Sequence, residues 1–312
     1  MRKIFKNPFV TRCRHRAADL LVRVFYYGTS FLPWRLLVFC GRAAGSLVFA
    51  GSRPFHPRAL LNLKTIWAGR LSDRETAVVA RESYRNLAVT MLEQGKMRRM
   101  GRERFLSLID YQPEQIELLH GLVKRGRGVL YASAHFGNWE MLAEFGARLG
   151  LNMSVLYKPP TNPYLDRFLH RIRGSNSLID INSDLSSVVR RLRRGEEIAL
   201  LFDENARRRG IRIPFFGFEA STYRGPAYFS LRAGAPIVCL YFLRLRDGRH
   251  RFLIERVIEP VRSARLDQDI RRIMLEMNQS LEKVILANPG QWNWPYRRWG
   301  RNPVPVGEGE RD

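Results

Sequence analysis

The run Val129-Leu130-Tyr131-Ala132-Ser133-Ala134 follows Arg125-Gly126-Arg127-Gly128 and ends on His135, with Glu140 five residues further on. A helix turns by about 100° per residue, so positions five apart diverge by roughly 140° and cannot share a face. His135 therefore has to precede any helix that carries Glu140. The pattern predicts a buried strand over Val129–Ala134, a tight turn at His135-Phe136-Gly137 and a helix starting near Asn138 or Trp139, with Asn138 as its cap. The imidazole then sits at the carboxyl end of a strand. Glu140, in the first helical turn, can point back to one ring nitrogen while the other faces a substrate. A carboxylate on one nitrogen fixes the tautomer and makes the other a general base near neutral pH. Spacing alone is equally compatible with a strand-end histidine of no chemical role and a first-turn acid favoured by the helix dipole.

From this strand onward short apolar runs alternate with helical stretches. Met153–Tyr157, Ile198–Phe202 and Pro236–Leu243 read as buried strands; Tyr164–Arg173, Leu185–Arg194, Arg224–Arg232 and Leu266–Leu286 read as helices. The alternation predicts an α/β fold, a layered, mostly parallel sheet flanked by helices. In such sheets sites form beyond the carboxyl ends of the strands, which places His135, Lys158 and Asp203 together. Upstream, Leu71–Met100 has helical periodicity, with Ser72-Asp73-Arg74-Glu75 as a start signal and Ala77, Ala80, Tyr84, Leu87 and Met91 as an apolar stripe. Gln112–Lys124 reads as a further helix, and residues 53–69 as a polar crossing.

The 312 residues carry a formal net charge of +24, with 45% hydrophobic residues. This implies a folded protein with an anionic partner, either nucleic acid or an anionic membrane with acidic substrates. Arginine supplies 46 of the 53 basic residues. They are spread along the chain without a nucleic-acid-binding module, which disfavours nucleic acid. Cys13, Cys40 and Cys239 are odd in number and widely spaced, as in a reduced compartment. The six histidines form no metal-ligand pattern, so neither a metal nor another cofactor is expected. Residues 1–52 form a basic, aromatic-rich N-terminal segment. Arg23, Pro33, Arg35 and Arg42 interrupt its apolar stretch, which falls short of the roughly 20 apolar residues a spanning helix needs. It reads as one or two amphipathic helices on a membrane surface, or else as core helices with a basic outer face. Residues 53–301 form the α/β domain, and 302–312 a mobile tail.

His135-Phe136-Gly137-Asn138-Trp139-Glu140 resembles the signature of the bacterial lipid A secondary acyltransferases, the lauroyl and myristoyl transferases within the lysophospholipid and glycerophosphate acyltransferase superfamily. Further landmarks follow in order: Asn62-Leu63 ahead of the core, then Tyr157-Lys158-Pro159, Asn162-Pro163, Asp166, and Arg171 and Arg173 near Ser175-Asn176. Beyond them come Asp203, Ile213-Pro214-Phe215-Phe216-Gly217, Thr222, Ala233-Gly234-Ala235-Pro236 and the closing Gln291–Trp299 segment. The likeness runs from about Leu20 to Trp299. Asn205 stands where relatives often carry a second aspartate, and Tyr296 where histidine is common.

The resemblance implies transfer of a fatty acyl chain from an acyl carrier protein or coenzyme A thioester to a hydroxyl of a phosphorylated glycolipid, a lipid A precursor, at the cytoplasmic face of the bacterial inner membrane. His135 would remove the hydroxyl proton and Glu140 orient its ring. The oxyanion would be met by backbone amides of Gly137, Asn138 and Trp139 or by Arg173, and Lys158, Arg171, Arg173 and Asp203 would bind substrate. Other acceptors, a phosphatidylinositol mannoside or a lysophospholipid, fit the same chemistry. A basic protein that only binds anionic membranes is the non-enzymatic alternative. The Trp292, Trp294 and Trp299 cluster fits an interfacial belt or packing beneath the site equally well.

Overall fold

The computed structural model describes residues 8–51, 56–173, 178–182, 185–300 and 303–306. The basic residues Arg2, Lys3 and Lys6, the Ser175-Asn176 pair and most of the expected tail lie outside them. In chain order the elements are α1 (Pro8–Phe31), α2 (Trp34–Gly51), α3 (His56–Ile66), α4 (Asp73–Arg99), α5 (Arg102–Leu106), β1 (Ile109–Asp110), α6 (Pro113–Lys124), β2 (Val129–Ser133), α7 (Met141–Arg148), β3 (Met153–Tyr157), α8 (Pro163–Arg173) and β4 (Leu178–Asp180). They continue with α9 (Ser186–Arg193), β5 (Glu197–Leu201), β6 (Ile211–Phe215), β7 (Phe218–Thr222), α10 (Gly225–Ala233), β8 (Ile237–Arg244), β9 (His250–Ile258) and α11 (Leu266–Ala287).

Seven strands form one sheet in the order β1-β9-β8-β2-β5-β3-β4, parallel at every pairing except β8 with β9. β2 lies in the middle and is buried at every residue, because helices cover both faces and its side chains alternate between them. Leu130 and Ala132 join a core with Val188 and Leu192 of α9 and Ile273 and Met277 of α11. Val129 and Tyr131 join the opposite one, with Met97 of α4, Leu119 and Leu122 of α6, and Met141 and Phe145 of α7.

The capping box expected at Ser72 is present, with Glu75 as its reciprocal partner. Of the stripe expected on α4, Ala80 and Tyr84 are buried, Ala77 and Leu87 half-buried and Met91 exposed, while Thr76, Ser83, Asn86, Thr90 and Glu93 are buried as well. Around Asn86, Thr90 and Glu93 the helix meets backbone carbonyls and an arginine, so these polar residues point inward beside the apolar ones. The polar crossing expected at 53–69 contains the helix α3, whose Asn62 donates to the carbonyls of Trp294 and Tyr296 at 2.8 and 2.9 Å. The hairpin of β6 and β7 is extended by residues 303–306, with Glu219 N–H donating to the Val304 carbonyl and Val306 N–H to that of Gly217. The tail therefore begins as an ordered strand pairing.

No described helix is long and apolar enough to cross a membrane. α1 and α2 pack on α4, and α1 also packs on α8. Their outer faces expose Leu20, Leu21, Val24, Phe25, Phe31, Phe39, Leu47 and Val48.

Candidate active site

The register of the sheet builds the centre of the site. β2 pairs with β5 so that Ser133 lies opposite Leu201, and the Phe202 N–H then donates to the Ser133 carbonyl at 3.0 Å. Two residues further along both chains, His135 meets Asp203. The His135 N–H donates to Asp203 Oδ2 at 3.0 Å, and its Nδ1 lies 2.9 Å from Oδ1. A carboxylate only accepts, so Nδ1 carries the proton and Nε2 holds the lone pair in the neutral ring. Trp292 Nε1 donates to Asp203 Oδ2 at 2.9 Å. The buried carboxylate is thus held by three donors.

Burial lowers the His135 pKa, but the charge and hydrogen bond of Asp203, joined by the charges of Glu204 and Glu140, outweigh it and the net shift is upward. Burial raises Asp203 in turn, and its bonds to His135 and Trp292 bring the net below the usual carboxylate value. Behind the pair, fully buried Arg298 donates to the Ser221 carbonyl and Thr222 Oγ1, each at 2.7 Å. Burial lowers its pKa to about 10, which still leaves it charged at neutral pH, and its charge offsets that of Asp203.

The turn after β2 is fixed on every side. Gly137 has φ of +58°, and a Cβ there would lie 1.9 Å from the Phe242 carbonyl oxygen, so only glycine fits. Its N–H donates to the Gln291 carbonyl at 2.9 Å; its carbonyl accepts from Asn86 Nδ2 at 2.9 Å and Thr90 Oγ1 at 3.1 Å. The Asn138 N–H donates to the Phe242 carbonyl at 2.9 Å and its side chain to Glu93 Oε2 at 2.6 Å. Glu93, fully buried, forms an ion pair with Arg244, whose Nε donates to Asn86 Oδ1 at 3.0 Å. Asn293 N–H reaches the His135 carbonyl at 3.1 Å.

Four expectations are corrected by this arrangement. The helix starts at Met141, later than expected, because residues 136 and 137 form bridges with Trp292 and Phe242. Asn138 is accordingly no cap but a buried donor to Glu93. Glu140 consequently sits ahead of the helix, with Oε2 3.5 Å from Arg173 Nη2, and Asp203 rather than Glu140 holds the imidazole Nδ1. Finally, the amides of Gly137 and Asn138 are engaged by protein carbonyls, so neither is free to meet an oxyanion.

His135 opens onto a cavity of about 1080 Å³. Its walls are largely apolar, with Leu142, Val155, Leu169, Leu200 and Phe229 among them. Glu140, Trp139, Lys158 and Arg173 line it with His135, whereas Asp203 stands behind the ring, and Arg171, exposed on α8, is not part of the lining. The His135 ring lies edge-on to Trp139 and stacks at 6.5 Å with Tyr296, whose hydroxyl accepts from the Asn205 N–H. Asn205 itself donates to the Arg297 and Arg298 carbonyls, two bonds that an aspartate could not make. Trp292, Trp294 and Trp299 are packed beneath the site and buried, not arranged as a surface belt. Arg207, Arg208 and Arg209 form an exposed turn.

Glu93, Arg244, Asn86 and Arg298 were not anticipated from the sequence. The first two lie 151 positions apart, and the only local signal was an acid and an amide on a helix whose neighbouring residues are apolar. Residues 7–301 match the family of bacterial lipid A biosynthesis acyltransferases. The chain belongs to this family.

As a member of it, the protein is an acyltransferase. It is 27% identical over 285 residues to the lipid A biosynthesis palmitoleoyltransferase of Escherichia coli (strain K12), covering 88% of each chain. To the lauroyltransferase of the same organism it is 29% identical over 198 residues, 61% of this chain and 62% of the relative. A lipid A biosynthesis acyltransferase of Haemophilus influenzae is 26% identical over 282 residues, covering 87% and 86%.

Proposed function

We propose that this family member works at a membrane surface, moving a fatty acyl chain from an acyl carrier protein or coenzyme A thioester to a hydroxyl of a lipid A precursor, with His135 as general base. The observation that carries the reading is the imidazole at the cavity wall, its Nδ1 bound to buried Asp203 and its Nε2 without a protein partner among the described residues. Nε2 takes the proton of the acceptor hydroxyl as its oxygen attacks the thioester carbonyl. The tetrahedral intermediate collapses by breaking the carbon–sulfur bond, and the imidazolium returns the proton to the departing thiolate. Asp203 stabilises the imidazolium. Glu140 adds negative charge beside it and holds Arg173, which is placed to meet the oxyanion together with the Trp139 amide. Lys158 on the cavity wall supplies a cation for an acceptor phosphate.

The exposed apolar faces of α1 and α2, flanked by Arg12, Arg14 and Arg35, suit a helical hairpin lying in an anionic bilayer surface, the cytoplasmic face of the inner membrane. The test is mass spectrometry of lipids formed by the purified protein from carrier-protein and coenzyme A thioesters with a lipid A precursor. An added acyl group with the wild type and none with His135→Ala is expected. Equal product from the two proteins would overturn the role of His135, and transfer from neither donor would overturn the thioester reading.

A further inference from the structure

Of the arginines that line the cavity, Arg98, Arg173 and Arg224 have carboxylate partners, Arg190 bonds Ser186, Arg209 sits on the turn before β6, and Arg193 and Arg232 lie at the ends of α9 and α10. On the side of α4, α7 and α8, Arg98 is paired with Glu144 at 2.9 Å and Arg173 with Glu140 at 3.5 Å. Their charge is largely met within the protein. On the opposite face, where Val188 and Leu192 of α9 pack against Leu130 and Leu200, Arg193 ends α9 and Arg232 lies in the last turn of α10.

Arg193 donates through Nε and Nη2 to the Arg232 carbonyl at 3.2 and 2.8 Å. The Arg232 guanidinium lies over the Tyr228 ring at 5.5 Å. Neither guanidinium has a carboxylate partner among the described residues. Both line the same cavity as His135, with Val189, Leu200 and Phe229 also in the lining. Both residues are exposed, and their positive charge at the rim of an apolar cavity, not offset by a carboxylate, raises the affinity of the place for an anion.

We infer that Arg193 and Arg232 form a subsite for the phosphate at the end of the donor's pantetheine arm. The inference rests on the thioester reading given above and assigns the donor a direction of approach. The pantetheine arm is an uncharged chain between a thioester and a phosphate, which matches apolar walls running from His135 to a pair of guanidinium groups. The acceptor is a lipid and enters from the bilayer side. α1, with its exposed apolar face, packs on α8, whereas α9 and α10 pack on each other and α10 on α11. The acceptor phosphate therefore belongs with Lys158 and the donor phosphate with Arg193 and Arg232. Arg193 caps the Arg232 carbonyl at the end of α10 and Arg232 bonds the Tyr228 hydroxyl at 3.4 Å, but neither contact neutralises the charge of either guanidinium.

The experiment compares wild type, Arg232→Gln and Arg193→Gln/Arg232→Gln with acyl-pantetheine, acyl-4′-phosphopantetheine, acyl coenzyme A and an acylated carrier protein as donors. Arg232→Gln leaves the Arg193 hydrogen bonds to the backbone in place, so it separates the subsite from the fold. The expected result is a KM for acyl-4′-phosphopantetheine and both natural donors raised ~10-fold or more, with unchanged kcat, unchanged KM for acyl-pantetheine and unchanged acceptor KM. Equal changes for the phosphorylated and unphosphorylated donors, or a raised acceptor KM, would overturn the assignment. A change seen only with the carrier protein would also overturn it, since the arginines would then be reading an acidic protein surface. Calorimetry with 4′-phosphopantetheine separates this inference from the thioester reading: binding by wild type that is lost in Arg232→Gln supports the subsite even if no donor is used, and no binding by wild type refutes it.

Discussion

Replacing Gly137 by alanine asks whether the turn that carries His135 is as tightly determined as its contacts imply. The backbone there has φ of +58°, which costs an L-residue ~1–2 kcal/mol. The new Cβ would also lie 1.9 Å from the Phe242 carbonyl oxygen, well inside any real contact, so either β8 or the turn must move by on the order of 1 Å. That motion strains the bonds from Asn86 and Thr90 to the Gly137 carbonyl and from the Asn138 N–H to Phe242, worth about 1 kcal/mol each. The expected outcome is a loss of about 3 kcal/mol or more and a Tm lower by roughly 5 °C or more. A displacement of this size at the general base lowers kcat by about 100-fold, even at temperatures where the variant remains folded. Gly150→Ala is the control. Its φ is +81° but no atom lies within 4 Å of a Cβ, so it pays the backbone strain alone and keeps its kcat. Thermal unfolding by circular dichroism and single-turnover acyl transfer measure the two quantities. If Gly137→Ala matched Gly150→Ala in both, the turn would be compliant and the argument for a rigidly held His135 would be wrong.

Three more outcomes follow from the geometry. If His135 acts as the proposed general base it must be neutral, so kcat/KM should rise with pH through an apparent pKa above the ordinary imidazole value. Asp203→Asn removes the charge that raises it while burial remains, and should move that limb to lower pH and reduce kcat ~10²–10⁴-fold; an unmoved limb would detach Asp203 from the base. In stability the signs oppose: the His135 contribution is lost as pH rises through its raised pKa, and that of Asp203 as pH falls through its lowered one. Arg244→Met leaves Glu93 buried without its partner and should cost ~3–5 kcal/mol, while Arg244→Met/Glu93→Met should recover part of this in denaturant titrations; strictly additive losses would mean the pair does not act as a unit. Leu21 and Phe31 are each 70% exposed, and changing both to serine should lower co-sedimentation with anionic vesicles by ~10-fold or more without altering Tm; unchanged sedimentation would remove α1 from the membrane-binding surface.

The strands flanking the site were legible because a parallel sheet covered on both faces leaves unbroken apolar runs, and β2, β3, β5 and β8 appear within a residue or two of the positions the sequence predicts. β1, β4 and the β6–β7 hairpin were not, being short or only partly buried, so that no apolar period marks them. The position of His135 at a strand end was legible; its partner was not. Choosing Asp203 over Glu140 depends on the pairing of Ser133 with Leu201, a property of two strands 68 residues apart that no local pattern encodes. The polar face of α4 was hidden for a related reason. Asn86, Thr90 and Glu93 look like solvent-facing residues until the backbone they bind is in place.

The segment from Gln291 to Arg298 closes the site from behind: Gln291 and Asn293 bond the turn, Trp292 holds Asp203 and Arg298 braces the residues after it. During synthesis this segment leaves the ribosome long after His135. Until it docks, the turn lacks its bonds to Gln291 and Asn293 and Asp203 lacks the Trp292 donor, leaving His135 and Asp203 held from one side only. If His135 is the general base, a chain lacking this segment would carry the signature histidine without the contacts that steady it and Asp203 from behind.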